Sequence, residues 1–133
     1  MSTTINRKTR DFVDLDLSFA RTSSNDVALK TDENAIKASL KHLILTINYE
    51  RPFHPEIGCQ AHNLLFENFT PITEQIVRQT VYDVLTKFEP RIYVLDVETN
   101  AMDDANELQI SVTFRFKNDP RPITVNTFLN RVR

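Results

Sequence analysis

The chain of 133 residues contains one glycine, Gly58, against a typical usage of about 7%. A phosphate-cradling loop or a dinucleotide fingerprint needs several glycines, so that backbone amides can reach a phosphate. Neither can be written here, which excludes nucleotide enzymes of those types and the cofactors they carry. One cysteine, Cys59, rules out an internal disulfide framework. No segment approaches about twenty apolar residues, and the polar start MSTTINRKTR has no apolar centre, so neither a membrane span nor a secretory signal is expected. Charge of one sign is missing too. The net charge is −2 with both signs mixed along the chain, and no extended basic face offers itself to nucleic-acid phosphates. Partners are therefore sought among proteins, not nucleic acid or membrane. The length suffices for one domain that buries roughly two-thirds of its unfolded surface.

Catalytic groups are equally sparse. His54, Cys59 and His62 fall within nine residues, but a fourth zinc ligand is not evident and the spacing fits no common structural site, so no metal is assigned. Cys59 reads as a small buried thiol, because its spacing from His62 does not require the two to converge on a nucleophile–base pair. No Gly-x-Ser-x-Gly turn is present to lift a serine nucleophile. Among the 18 acids, Glu74 and Asp83 lie nine residues apart on one expected helix, which puts them about 180° around and roughly 13 Å along the axis. That separation cannot flank one glycosidic bond. Glu50 and Glu56 border a proline loop, where no apolar pocket to raise one acid is apparent. No catalytic residue and no cofactor are assigned.

What is present is patterning. Val13, Leu15, Leu17 and Phe19 alternate with polar residues at strand period, and the turn-rich segment 21–26 follows. This predicts a strand lying across a neighbouring surface or at a sheet edge, without a tight hairpin. Thr31 or Asp32 caps a helix whose Ile36, Leu40, Leu43, Ile44 and Ile47 share a face, with an end expected near Asn48. Two prolines stiffen the loop Arg51-Pro52-Phe53-His54-Pro55-Glu56-Ile57-Gly58, and a short helix through Ala61, Leu64, Leu65 and Phe66 follows. Thr70-Pro71 opens a long amphipathic helix over residues 71–88. The period then changes to two. Strands are expected over 92–99, from Leu108 to Lys117, and through Ile123, Val125, Thr127 and Leu129, with polar loops at 100–106 and 118–122 between them. In the middle strand Leu108, Ile110, Val112, Phe114 and Phe116 would face the helices. The fold class is α+β, with N-terminal helices packed on one face of a C-terminal three-stranded antiparallel meander. Its two edges need protection or a partner chain.

Between helix and meander stands Glu89-Pro90-Arg91. Proline ends the helix and biases Glu89 toward extended backbone, which sets Glu89 and Arg91 side by side as an opposite-charge pair on a rigid corner. Two readings are open: a docking corner, or a simple helix stop with solvated charges.

The Pro52-to-Gly58 loop, the Asn63-Leu64-Leu65-Phe66-Glu67 segment, the helix over 71–88, the Glu89-Pro90-Arg91 corner and the meander after it together resemble one family. It comprises the baseplate-wedge proteins that initiate the sheath of contractile phage tails, with a relative in the type VI secretion baseplate. The resemblance spans residues 30–130 and implies a non-enzymatic structural subunit of the virion tail baseplate, made in the host cytoplasm. It further implies that Glu89, Pro90 and Arg91 bind a helical core bundle of larger wedge subunits. The sheath-like fold would offer a sheet edge for strand addition by the tail sheath protein, around a six-fold axis. Residues 1–30 would form an extended arm on a single domain, 31–133. A lysozyme-like enzyme of the baseplate is the alternative that the family's older label raises.

Overall fold

The computed structural model describes residues 12–68, 70–102 and 107–130. The expected arm residues 1–11 and the loop residues 103–106 lie outside them. Two compact units divide the chain between Ala38 and Ser39, inside the first helix.

In the first unit, β1 (Val13–Leu15) pairs antiparallel with β2 (Leu29–Thr31), with Val13 opposite Thr31 and Leu15 opposite Leu29. The expectation of a strand without a hairpin is corrected here. Arg21 bridges to Val27, and the tip closes where the Thr22 N–H donates to the Asp26 carbonyl while Asn25 turns at φ 63°. Asparagine tolerates the left-handed region, and that makes so tight a return possible. The strand stops at Leu15 because Asp16 starts a turn, its carbonyl taking the Phe19 N–H at 2.9 Å and its carboxylate the Ser18 N–H at 3.0 Å, and Leu17 and Phe19 are exposed like Val13 and Leu15.

Helix α1 (Asp32–Leu45) begins with Asp32 and Glu33 at its positive end, and Glu33 pairs with Lys37 one turn on. It stops short of Asn48. The Thr46 hydroxyl bonds back to the His42 carbonyl, while the Thr46 carbonyl is taken by the Cys59 N–H at 2.8 Å, so the chain leaves the helical path. Ile36, Leu40, Leu43 and Ile44 are buried as their shared face predicts, whereas Ile47 is exposed.

In the second unit a single helical turn, α2 (Ala61–Leu64), precedes α3 (Pro71–Phe88), whose boundaries are those expected. Thr70 caps α3 by accepting the Thr73 N–H at 3.2 Å, and Pro71 occupies the first turn where no amide is needed. Thr73, Val77, Val81 and Leu85, four residues apart, form the buried stripe, and α3 packs on the strand that follows it. The sheet order is β3 (Ile92–Met102), β4 (Glu107–Phe116), β5 (Ile123–Asn130), all antiparallel. β3 runs three residues beyond its expected end and carries a bulge between Val94 and Asp96. The bulge switches the inward set from Ile92 and Val94 to Val97 and Thr99. Leu108, Ile110, Val112 and Phe114 of β4 and Val125, Thr127 and Leu129 of β5 complete the core. Phe116 is half-buried and stands edge-on to Phe114, ring centroids 6.0 Å apart. The α+β class with a helix-covered C-terminal meander is what the structure shows.

Candidate functional site

The Glu89-Pro90-Arg91 corner is built from three elements of the second unit. Glu89 caps α3, its N–H bonded to the Leu85 carbonyl at 2.9 Å, and leaves the helix at φ −122°, ψ 80°. Pro90 blocks a further turn and is exposed. The Lys117 N–H reaches the Arg91 carbonyl at 3.4 Å, which ties the corner to the end of β4.

The pairing of Glu89 with Arg91 is made within the chain. Arg91 donates from Nε to Glu89 Oε1 at 2.6 Å and from Nη2 to Oε2 at 2.7 Å, a bidentate fork, and Ser39 Oγ of α1 donates to Oε2 at 2.7 Å. The pair is not a solvated surface couple, because the Glu89 side chain is only 3% exposed. Arg91 stays 27% exposed. Burial pushes the Glu89 carboxyl up, but the hydrogen bonds from Arg91 and Ser39, with the Arg91 charge, outweigh it and hold the group below its ordinary value. A carboxylate that is ionised at neutral pH therefore fixes the guanidinium from beneath.

Sequence reasoning missed Ser39, which lies fifty residues away on another helix and bears no local mark of its role. It also missed an outward cluster beside the corner. Tyr93 of β3 stands opposite Arg115 of β4, whose guanidinium lies 4.7 Å from the ring centroid, with Lys117 Nζ at 5.5 Å. The two-residue period, continued across the meander register, would have found it.

The residues weighed for chemistry are dispersed. His54 Nδ1 meets Glu56 Oε1 at 3.3 Å, while Cys59 is fully buried and burial pushes its thiol up. No group of three metal-capable side chains occurs among the described residues. Glu74 accepts from Arg78 at 2.5 Å and Thr99 at 3.1 Å, and Glu50 accepts the Ile47 N–H at 3.0 Å. An open polar groove of about 520 Å³ has Arg78, Asp96 and Glu98 on its wall, and both acids there are exposed. Glu89 is the one buried carboxylate among the described residues.

Comparison with known proteins decides the family. The model of the family "Baseplate wedge protein gp25" matches residues 30–121, which include the loop, α3 and the corner. This chain belongs to the gp25 baseplate wedge family. The gp25 of Enterobacteria phage T4 is 32% identical over 112 residues, spanning 84% of this chain and 85% of the phage protein. A Geobacter sulfurreducens protein described as a tail lysozyme shares the fold at a TM-score of 0.72 and 23% identity, over 80% of this chain and 97% of that one. A chain of the anti-feeding prophage baseplate, solved with six-fold symmetry, matches at a TM-score of 0.64 and 19% identity, over 88% and 83%. As a gp25-family member the chain is a structural component of the baseplate wedge of a contractile tail, placed in the virion tail baseplate with other baseplate subunits as its partners. No helix among the described residues is long and apolar enough to cross a membrane.

Proposed function

We propose that this gp25-family chain docks on a helical bundle of larger wedge subunits through Pro90 and Arg91, with Glu89 as the buried clamp. Burial of Glu89 beneath Arg91 carries the reading. A long cationic side chain normally loses rotamer freedom on binding, and a guanidinium already forked to a fixed carboxylate loses less. Pro90 removes backbone freedom at the same point. Glu89 therefore acts by positioning Arg91, and the partner is met by the other two residues.

The outer strands of the β3–β4–β5 sheet support the second half of the proposal, in which a tail sheath subunit adds strands to an edge and so begins sheath assembly. Six copies around the tail axis match the symmetry of the anti-feeding prophage baseplate. Residues 1–30 act as an assembly arm on a domain of residues 31–133.

The function is non-enzymatic. A glycosidase acid must be desolvated to keep its proton, yet the buried Glu89 is held ionised and the acids of the polar groove are exposed. The name of the Geobacter relative motivates a second reading as a cell-wall hydrolase, under which the folded protein would clear a peptidoglycan suspension. The docking reading is tested by co-elution with the larger wedge subunits of the same tail. A Pro90→Ala/Arg91→Lys variant that melts with the wild type keeps the charge but loses the rigid bend and the fork. It is expected to drop out of the complex; equal binding would reduce the corner to a helix stop.

A further inference from the structure

The loop between α1 and α2 holds two bulky aromatic residues in strained backbone. Tyr49 and Phe53 both adopt the left-handed region, at φ 70° and 68°, where a bulky side chain is strained. Both rings are also in solvent, 82% and 96% exposed, so neither returns packing free energy for that strain. Non-glycine residues persist in such conformations where the surroundings force them, and those places cluster at functional sites.

The surroundings do force them. The Tyr49 N–H bonds across the loop to the Pro55 carbonyl at 3.0 Å, and Glu50 caps it twice, donating its N–H to the Ile47 carbonyl and accepting the Ile47 N–H. His54 takes the Ile57 N–H on its carbonyl at 3.2 Å, and Pro52 and Pro55 stiffen the rest. At the base Gly58 lies so close to Asn48 that a β-carbon would come within 2.7 Å of its backbone nitrogen. The result is a knuckle whose two aromatic rings are presented in advance, with exposed Arg51 between them in sequence.

We propose that this knuckle is a docking site, in which Phe53, flanked by Tyr49, enters an apolar pocket of a neighbouring baseplate subunit while Arg51 meets a carboxylate at its rim. A rigid aromatic anchor with an arginine beside it is the composition of an interface hot spot, and preorganisation lowers the cost of ordering it. The family assignment supplies the class of occupant, since the chain is one subunit among others in a baseplate.

The test uses Phe53→Asn and Tyr49→Asn in the full chain, because asparagine accepts left-handed backbone. Each free variant is expected to melt at or above the wild-type temperature, while co-elution with the other wedge subunits of the same tail weakens about tenfold or more. Unchanged assembly in both variants would overturn the proposal. So would melting of both below the wild type, which would make the rings part of the fold. Flotation of the wild type with phosphatidylcholine–phosphatidylglycerol vesicles, lost in Phe53→Asn, would overturn it in favour of a lipid surface. Pro90 and Arg91 are untouched, so the corner and the knuckle fail independently.

Discussion

Arg91→Ala is expected to destabilise the protein by about 3 kcal/mol at neutral pH, because it leaves a buried carboxylate without its counter-charge. For a chain of this size that lowers the melting temperature by roughly 10 °C. The cause is specific. Glu89 would keep the Ser39 hydroxyl at 2.7 Å and the backbone N–H of residue 91 but no cationic partner, while its side chain stays 3% exposed. Its pH dependence identifies the mechanism. The Glu89 carboxyl lies below its ordinary value of 4.5 in the folded protein, so the clamp contributes stability above that value and loses it as pH falls through the lower, folded-state value. The wild type should therefore lose stability in acid below about pH 4.5. The gap between wild type and Arg91→Ala should narrow over the same range, since a protonated Glu89 no longer misses the guanidinium. Thermal melts of both proteins at neutral pH and across the acid range check this. A gap independent of pH would mean that Arg91 stabilises through packing alone. Glu89→Gln should be milder, because an amide oxygen still accepts from Ser39. The consequence for docking experiments is direct: alanine at this corner removes the fold's own clamp along with any contact, and only charge-conserving variants separate the two.

Gly58→Ala is expected to cost a comparable amount, about 3 kcal/mol, by a different route. A β-carbon at residue 58 would lie 2.7 Å from the Asn48 nitrogen, 2.8 Å from Asn48 Oδ1 and 2.8 Å from the Ile47 carbonyl carbon. Two of these three atoms are backbone and cannot rotate aside, so the strand of chain at 47–48 must move away from residue 58. The displaced segment includes Ile47, whose N–H is bound by Glu50, and so the base of the aromatic knuckle. Denaturant unfolding should show a lower midpoint with an unchanged slope, since the surface exposed on unfolding is the same. A midpoint equal to the wild type would show that the loop relaxes freely, and would remove the preorganisation on which the knuckle's docking role rests.

The long helix was legible because its ends are marked chemically: a hydroxyl and a proline at Thr70-Pro71, and a second proline at 90 that forbids another turn. β4 was legible because its alternation is unbroken and one face is buried. The burial of Glu89 was written in the same helix, as Val77, Val81, Leu85 and Glu89 continue one stripe in steps of four. Charge alone argued for exposure there, and the stripe was the better guide. Three other features had no such mark. The bulge after Val94 changes strand parity by a pairing offset that depends on the partner strand, and Ser39 reaches Glu89 through tertiary placement. The end of α1 at Leu45 depends on the distant Cys59 amide, which captures the Thr46 carbonyl. The corner was named from its sequence, then, while the direction in which its acid points came only from the packing of three elements.

The most direct measurement is a cryo-electron microscopy reconstruction of the assembled baseplate containing this chain, at a resolution that places side chains. The account predicts Pro90 and Arg91 seated against helices of the larger wedge subunits, with Glu89 still beneath the guanidinium and bonded to Ser39. A corner that faces solvent, with the chain held to the baseplate by other surfaces alone, would contradict it.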